Sequence, residues 1–412
     1  MKRFKYEVYT SAGVYITNWG DVISEPEFSM QVNGGLGELK VVLARNADDF
    51  GESDDVNFNN QIIVYCFDKN TNDGVKIFNG YISGYTPVLD GNAEYIEISV
   101  LGYVAELARV ELLDDGNGIQ DTPTAGNTTL TYTNQKPSDI LKDIIDKYQA
   151  ITGSSQKVNY DLTSIDDTGT TIDSYTFNSV FILDAINKIV EMSPANWYWY
   201  LDANNIIQFH AFATTPNHTF FVKRDVITIK PNKRIENIKN ACYVIGKETA
   251  GVNFFEFYKR DASIASYGRS AVFLQDSNVN TSDVSQKFAD AQLDKQDEPE
   301  VRTQVVVVDD NNGSNKGKDI ENIVPGNVVN ILNYLSKKTY TLWGQALWNV
   351  DKWGYDISNV TATNINLIKA NYKPDYISCE VTSQLPQVGK TLTELRRKLQ
   401  ETVAVNNPAA AS

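Results

Sequence analysis

A glycine-rich stretch near the N-terminus, VNGGLGELKVVLAR at residues 32–45, has the composition of a phosphate-binding loop. A dinucleotide-binding loop starting at Gly35 would need another glycine in place of Lys40, and it would have to open a helix. The glycines instead precede an alternating apolar run, which is typical of a strand. The sequence therefore predicts a hairpin turn with positive backbone φ angles and no phosphate site. The residues of this hairpin are Asn33, Gly34, Gly35 and Gly37.

Residue types needed for other catalytic chemistry are scarce. Only two histidines are present, His210 and His218, and the chain has neither an HExxH zinc motif nor a GxSxG nucleophile motif. The three cysteines, Cys66, Cys242 and Cys379, are too far apart in sequence for a metal or disulfide framework. The sequence thus predicts no catalytic residue, no metal site and no cofactor. A carboxylate pair for glycoside cleavage stays open, because 52 acidic residues leave no means of choosing the pair.

The aromatic stretch WYWYLDANNIIQFHAF, residues 197–212, has side chains that could bind sugars, since exposed rings stack on carbohydrates. The rings alternate along a strand behind a predicted helix, so at least one pair, Trp197/Trp199 or Tyr198/Tyr200, must face the core. Core packing is the favoured interpretation, and glycan binding by Trp197 and Trp199 is the alternative.

Length and charge limit the class of protein. A chain of 412 residues can hold two to four domains, and 42% hydrophobic with 22% charged residues is typical of a globular protein. Abundant tyrosine, phenylalanine and β-branched residues favour β-structure. The net charge of −15 argues against tight binding to nucleic-acid phosphates, but it is compatible with DNA passing along a wall that repels it. No apolar run reaches the length of a membrane span, and no secretion signal is predicted.

Period-two patterns predict strands in the first and last parts of the chain. Leu39, Val41 and Leu43 alternate with Lys40 and its successors, as in a half-buried strand. The run QIIVYCF at 61–67 is apolar on both faces, which indicates a central or doubly covered strand.

Helical periodicity appears in the middle of the chain. One helix is predicted to start at Pro137 and a second to stop before Pro194. A third is predicted at roughly 282–296, with Ser282 as its N-cap. The apolar face of the first helix is formed by Ile140, Leu141, Ile144, Ile145 and Tyr148.

These patterns divide the chain into four parts. The predicted division is residues 1–112 as a first β-barrel, 113–222 as an α+β insertion domain, 223–390 as a second β-barrel with an inserted helical segment at about 255–300, and 391–412 as a C-terminal helix and tail.

The order of these segments resembles the hub proteins at the tip of phage tails, the family of baseplate hubs and tail-associated lysins. MKRFKYEVYT, VNGGLGELKVVLARNADDFGE and NNQIIVYCFD are similar to the family's N-terminal barrel. SDILKDIIDKY, NSVFILDAINKIVEM and WYWYLDANNIIQFHAF are similar to its insertion domain, which has two helices followed by an aromatic hairpin. IKPNKRIENIKNACYVIG and DIENIVPGNVVNI resemble parts of the second barrel. The resemblance extends to about residue 400.

The resemblance implies a structural virion protein, not an enzyme, at the tail tip or baseplate. The implied fold is β-rich α+β, with two tail-tube-like β-barrels, an α+β insertion domain and a smaller helix-containing insertion. Three chains would form a ring of pseudo-sixfold symmetry that docks on hexamers of distal tail or tube protein. Its centre would be a channel for the tape measure protein and then for DNA, which passes without specific binding. Fibre or receptor-binding proteins are further implied partners.

The C-terminus departs from many members of that family, which carry a hydrolase, needle or receptor-binding fibre after the hub. This chain stops at Ser412, so either separate fibre proteins complete the hub or the sequence is truncated. Lytic activity and catalytic residues are therefore not carried over. The C-terminal helix is predicted to associate around a threefold axis through Leu392, Leu395 and Leu399.

Two other functions stay open on the residues alone. One is a cell-wall polysaccharide hydrolase that uses a carboxylate pair. The other is a carbohydrate-binding adhesion module that uses Trp197 and Trp199. The hub of a contractile injection system shares the expected fold, and the sequence does not separate it from the tail tip of a siphophage.

Overall fold

The computed structural model describes residues 3–45, 54–67, 74–91, 93–113, 129–150, 158–194, 196–221, 225–234, 236–249, 251–308, 322–332, 365–374 and 376–382. Within these ranges strands outnumber helices. The longer helices come after the strands of the first large sheet in chain order. The prediction of a β-rich α+β fold is confirmed. No helix in the described part is long and apolar enough to cross a membrane.

The first sheet is a nearly closed antiparallel barrel. Its strands are β1 (Arg3–Tyr9), β2 (Tyr15–Trp19), β5 (Glu38–Leu43), β6 (Gln61–Phe67), β7 (Val75–Asp90) and β8 (Ala93–Gly102). Their order is β2-β1-β6-β7-β8-β5. The residues after β2 turn back onto β5 at the opposite edge. There the Ile23 N–H donates to the Val42 carbonyl and the Ala44 N–H to the Asp21 carbonyl, both at 2.9 Å.

An ionic cluster holds this closure. The Arg45 guanidinium lies 2.5 Å from Asp21 and 2.9 Å from Asp55, and the Trp19 indole N–H donates to the same Asp55 carboxylate at 2.7 Å. Burial would lower the pKa of Arg45, but the two carboxylates outweigh that effect and raise it. The charged guanidinium therefore ties the segment after β2 to the segment after β5.

The predicted strand pattern is confirmed in this barrel. Leu39, Val41 and Leu43 are buried along β5, whereas Lys40 is exposed. β6 lies between β1 and β7, and its first four residues are all buried. Burial on both faces explains why this strand has no polar alternation in its sequence.

The second large sheet combines strands from distant parts of the chain. Its strands are β3 (Phe28–Gln31), β13 (His218–Phe221), β14 (Val226–Arg234), β18 (Glu300–Val308), β19 (Val328–Leu332), β20 (Ile365–Tyr372) and β21 (Tyr376–Thr382). The order is β13-β19-β20-β21-β18-β14, and β3 pairs with the second half of β20. β13 and β14 stand at opposite ends of that order yet follow each other in the chain. The Asp225 N–H donates to the Phe221 carbonyl at 2.9 Å, so this sheet also curls round.

The larger insertion carries three helices, one antiparallel strand pair and one hairpin. Its elements are α1 (Val104–Leu107), β9 (Thr129–Gln135), α2 (Pro137–Ala150), β10 (Ile172–Asn178), α3 (Ile182–Met192), β11 (Trp197–Leu201) and β12 (Ile207–Ala211). α2 begins at Pro137, whose fixed φ suits the first helical position, and it buries the apolar stripe predicted from the sequence. β11 and β12 form the predicted hairpin. Its turn is held by Asp202, whose carboxylate accepts from the N–H of Asn204 at 2.8 Å and of Ile206 at 2.9 Å.

The smaller insertion is a three-stranded sheet covered on one face by a helix. Its elements are β15 (Ala241–Thr249), β16 (Val252–Lys259), α4 (Asp261–Tyr267), β17 (Ala271–Gln275) and α5 (Ser282–Gln296). The predicted bounds of α5 are confirmed, but its predicted cap is wrong. Thr281 is the N-cap and accepts from the Val284 N–H, because Ser282 already has helical geometry and instead bonds Glu256.

Two large hydrophobic cores organise these elements. One core contains buried residues of both large sheets, and the other contains buried residues of both insertions. The predicted division at residues 112, 222 and 390 stays a prediction. β3 lies before residue 112 and pairs into the second sheet, so hydrogen bonds cross that division. The predicted C-terminal residues Leu392, Leu395 and Leu399 lie outside the described residues.

Candidate functional site at the junction of the two large sheets

The segment that carries the predicted glycine hairpin connects three parts of the fold. It runs from β3 in the second sheet through β4 (Gly34–Gly35) to β5 in the first barrel. β4 pairs in parallel with β11 of the insertion, with Gly34 opposite Tyr200 and Gly35 opposite Leu201. The turn therefore joins both large sheets to the insertion.

Asn33 makes the turn possible. It is buried, its φ is 54°, and asparagine tolerates this left-handed region better than most residues. Its N–H donates to the Trp199 carbonyl at 2.6 Å, and its side-chain oxygen accepts from the Trp199 N–H at 3.3 Å. The start of β4 is thus fixed to β11 by two bonds from one residue.

The glycines of this segment are needed for space. The expectation of positive φ at Gly34, Gly35 and Gly37 is wrong, since among these residues only Asn33 has it. A Cβ on Gly35 would lie 2.8 Å from Leu201 Cβ and 2.8 Å from a Val104 methyl. A Cβ on Gly37 would lie 2.6 Å from the hydroxyl oxygen of Ser29 in β3. Side chains here would push the insertion away from the two sheets.

The two tryptophans of β11 face the core of the insertions. Trp199 is fully buried, and its indole N–H donates to the buried Asn187 side-chain oxygen at 2.9 Å. Trp197 is also buried and packs on Phe209, with ring centroids 4.8 Å apart. A ring enclosed in this way has no free face on which a sugar could stack. The geometry of both rings is that of core packing.

The opposite face of β11 is covered by the second sheet. Tyr198 packs on Phe212 at 4.3 Å between centroids, and both belong to a small core that includes Val328. The Tyr198 ring rests on Gly326, where an added Cβ would approach it to 2.2 Å. Burial raises the pKa of Tyr198 above its usual range and that of Tyr200 to about 12, so both hydroxyls stay neutral.

Phe28 connects the interiors of the two large sheets. Its ring lies 5.4 Å from Phe78 of β7 in an edge-on contact and 4.9 Å from Tyr372 of β20. Tyr372 is buried, and its hydroxyl donates to the Ile323 carbonyl at 2.7 Å. Phe28, Phe78 and Tyr372 belong to no motif in the sequence. Phe28 is an aromatic residue in a short strand before the glycines, and this context does not reveal its distant partners.

Metal-ligating and nucleophilic side chains are dispersed through the described part of the fold. No group of three or more His, Cys, Asp or Glu residues within them is arranged to hold a metal ion. Burial raises the pKa of the Cys242 and Cys379 thiols to about 12, which removes them as nucleophiles at neutral pH. His210 contacts Asp166 at 2.8 Å and Gln208 at 3.1 Å, which anchors the surface of the β12 strand.

Solved structures share this arrangement of two large sheets and insertions. A prophage tail protein from Listeria monocytogenes EGD-e matches with a TM-score of 0.56 at 8% identity, over 96% of this chain and 99% of its own. The 43 kDa tail protein of prophage MuSo2 from Shewanella oneidensis matches with a TM-score of 0.56 at 10% identity, over 92% and 98%. The chain has the fold of phage tail proteins.

A third structure extends the comparison. The tail protein from Neisseria meningitidis MC58 matches this tail-protein fold with a TM-score of 0.53 at 10% identity, over 92% of this chain and 96% of its own. No family model and no curated protein sequence matches the chain. The likeness to these three structures therefore lies in the backbone path, at sequence identities of 8–10%.

Proposed function

We propose that this chain is a structural virion protein that forms the trimeric hub at the distal end of a phage tail. In this role it caps the tail tube at the tail tip or baseplate. It also forms the channel through which the tape measure protein and then DNA leave. Its partners are two further copies, hexamers of distal tail or tube protein, the tape measure protein, and fibre or receptor-binding proteins.

The observation that carries this proposal is the pair of large curled sheets that share one hydrophobic core. Solved prophage tail proteins have the same fold over more than nine tenths of both chain lengths. Two fused barrels in each chain allow three chains to present six barrels, which is the number required to match a sixfold ring. The two large curled sheets in each chain are thus compatible with the trimer that the resemblance implies.

The junction suits such a ring mechanically. The two sheets are connected by β3, by the Phe28 contacts and by the Asn33–Trp199 bonds, so their relative angle is fixed. A fixed angle is needed if both barrels of one protomer are to follow the same circle. The net charge of −15 per chain gives the assembled ring a repulsive interaction with DNA, which favours passage over binding.

The two alternative functions receive less support. The carbohydrate-binding module requires exposed rings at Trp197 and Trp199, and both side chains are buried. The polysaccharide hydrolase requires a carboxylate whose pKa is strongly raised. Asp202 has a pKa raised by burial, but its oxygens accept backbone N–H bonds inside the β11–β12 turn. The Asp202 carboxylate therefore stabilises the β11–β12 turn.

The test is the mass of the purified chain by light scattering over a dilution series, followed by electron microscopy. A species of about 138 kDa, three times the 46.0 kDa of one chain, with a central channel in projection, is the expected result. A chain that stays monomeric at every concentration, and also fails to bind purified tube hexamers of the same phage, would overturn the proposal.

A further inference from the structure

The smaller insertion has one face covered by α5 and the other face rich in exposed aromatic rings. Cross-strand pairing places Phe257 of β16, Tyr243 of β15 and Phe273 of β17 in one row. Phe255 lies next to this row. Phe255, Phe257 and Phe273 are 57%, 38% and 66% exposed. Together they expose roughly 300 Å² of ring, taking about 200 Å² for a phenylalanine side chain.

The rings stand side by side, so the surface is ridged. Tyr243 lies 4.9 Å from Phe273 with 11° between the ring planes, and 4.7 Å from Phe257 with 35° between them. Rings stacked at these distances are in van der Waals contact, so their outward edges form a ridged apolar surface with only shallow grooves. Such a surface fits a protruding aliphatic side chain. A flat sugar ring would instead need an exposed ring face.

A protruding aliphatic side chain is present on the same chain. Leu162 is 96% exposed, at the tip of a hydrogen-bonded turn in the larger insertion. Ser164, which is buried, accepts from the Asp161 N–H at 2.9 Å and donates to the Asp161 carbonyl at 3.0 Å. The next residue, Ile165, is buried in the core. A fixed turn therefore holds a leucine side chain in water, where its apolar surface is not buried.

The two surfaces lie at opposite ends of the inserted layers. α2 packs on α3, α3 on α5, and α5 on β15, whose far face carries the aromatic row. The Leu162 turn adjoins the other end, since the neighbouring Tyr160 hydroxyl donates to Asp146 of α2 at 3.1 Å. Complementary surfaces at opposite ends of one body generate head-to-tail contacts, which form a ring where the rotation between neighbours closes.

Charge also distinguishes the two ends. Arg269 lies beside the aromatic row, where it donates to the Tyr243 hydroxyl at 2.6 Å and sits 5.2 Å from the Phe257 ring centre. The turn at the other end presents an aspartate directly before Leu162, at Asp161. A guanidinium at the edge of an apolar groove and a carboxylate next to an apolar knob are complementary.

We infer that neighbouring copies of this chain contact each other through their insertions, with Leu162 of one copy packed on the aromatic row of the next. This inference rests on the proposed trimer and names its contact outside the barrels. About 300 Å² is less than the roughly 800 Å² that each partner of a stable interface buries, so the row is an anchor within a larger interface.

Cysteine cross-linking tests the contact directly. The three native cysteines are buried, which keeps the background low. The double variant Leu162→Cys/Phe273→Cys is oxidised mildly and run on a non-reducing gel, while light scattering gives its mass before oxidation. Covalent dimers and trimers are expected from the double variant. Neither single variant should give trimers, because one cysteine per chain joins at most two chains.

The matched control pairs Leu162→Cys with Leu89→Cys, since Leu89 is 69% exposed but lies on the first barrel. Equal cross-linking of this pair overturns the inference, because the bonds would then report random collisions. Trimers that do not cross-link also overturn it, and they leave the proposed hub intact. A monomer that does not cross-link overturns the inference, and the binding of purified tube hexamers then decides the proposed hub. In a trimer held by this contact, Leu162→Glu should raise the concentration at which trimers dissociate at least about tenfold.

Discussion

Asn33 and Trp199 are 166 positions apart in the chain and joined by two hydrogen bonds. The Asn33 N–H donates to the Trp199 carbonyl at 2.6 Å, and the Asn33 side-chain oxygen accepts from the Trp199 N–H at 3.3 Å. These bonds start the only parallel pairing that links β4 to the insertion in the described residues. The junction between the sheets and the insertion therefore depends on one buried asparagine.

Asn33→Ala should lower the free energy of unfolding by about 2–5 kcal/mol. It leaves the buried Trp199 N–H without its acceptor, at about 1–3 kcal/mol, and it places alanine at a φ that costs about 1–2 kcal/mol. Asn33→Gly keeps the backbone geometry and loses only the acceptor, so it should cost less. Urea denaturation of both variants measures the difference. Equal losses would show that the left-handed conformation contributes nothing.

Gly326→Ala should destabilise the chain more than Gly91→Ala. Both glycines have positive φ, at 94° and 61°, but only the first is covered, by the Tyr198 ring. The shared backbone strain is about 1–2 kcal/mol, and displacement of the ring should add about 1–3 kcal/mol at Gly326. In a Tyr198→Ala background the excess at Gly326 should disappear. If it persists, steric contact with the ring is not its cause.

Trp199→Phe should cost about 1–3 kcal/mol beyond the lost ring area, because it removes the donor to the Asn187 side-chain oxygen inside the insertion core. Replacing both partners, in Trp199→Phe/Asn187→Leu, should recover part of that loss. Thermal unfolding of the two single variants and the double variant measures the coupling. Additive losses would mean that the bond makes no net contribution.

Acid should weaken the contact between the two insertions. Burial would raise the pKa of Asp276, but the Lys188 ammonium 2.7 Å away and further hydrogen bonds outweigh this and lower it. A carboxylate with a lowered folded-state pKa stabilises the protein above its unfolded pKa of about 3.9, and this contribution is lost as pH falls further.

The variant for this test is Asp276→Asn, which cannot carry the charge. It should be less stable than the original chain at pH 7, and the gap should shrink steadily between about pH 5 and pH 3. The measurement is the unfolding free energy of both proteins across that range. A gap that stays constant with pH would contradict the role of the ionised carboxylate.

The elements of this fold could be predicted from local patterns. The alternation in β5, the apolar stripe of α2 and the bounds of α5 all depend on neighbouring residues, and all are confirmed. The aromatic strand β11 shows where this reasoning ends. Its period of two requires one face to be buried, but both faces are buried because Gly326 and Val328 of the second sheet cover Tyr198.

The junction could not be predicted for the same reason. Glycines at 34, 35 and 37 indicate a backbone that a side chain would disturb, but they do not say whether a turn angle or a close neighbour is the cause. Here the neighbours are Leu201 and Val104, which come from other elements. The pairing of β3 with β20 is likewise set by tertiary packing. The local sequence patterns that predict a division at residue 112 do not reveal it.

That pairing has a consequence for the order in which the chain folds. Gln31 lies opposite Lys369, so β20 must leave the ribosome before β3 has its partner. Until then one edge of β3, which carries the apolar residues Phe28 and Met30, lacks its partner strand and is open to pairing with other chains. Contacts of such long sequence separation slow folding. The protein should therefore fold largely after synthesis, and its nascent N-terminal part is a natural client for a chaperone.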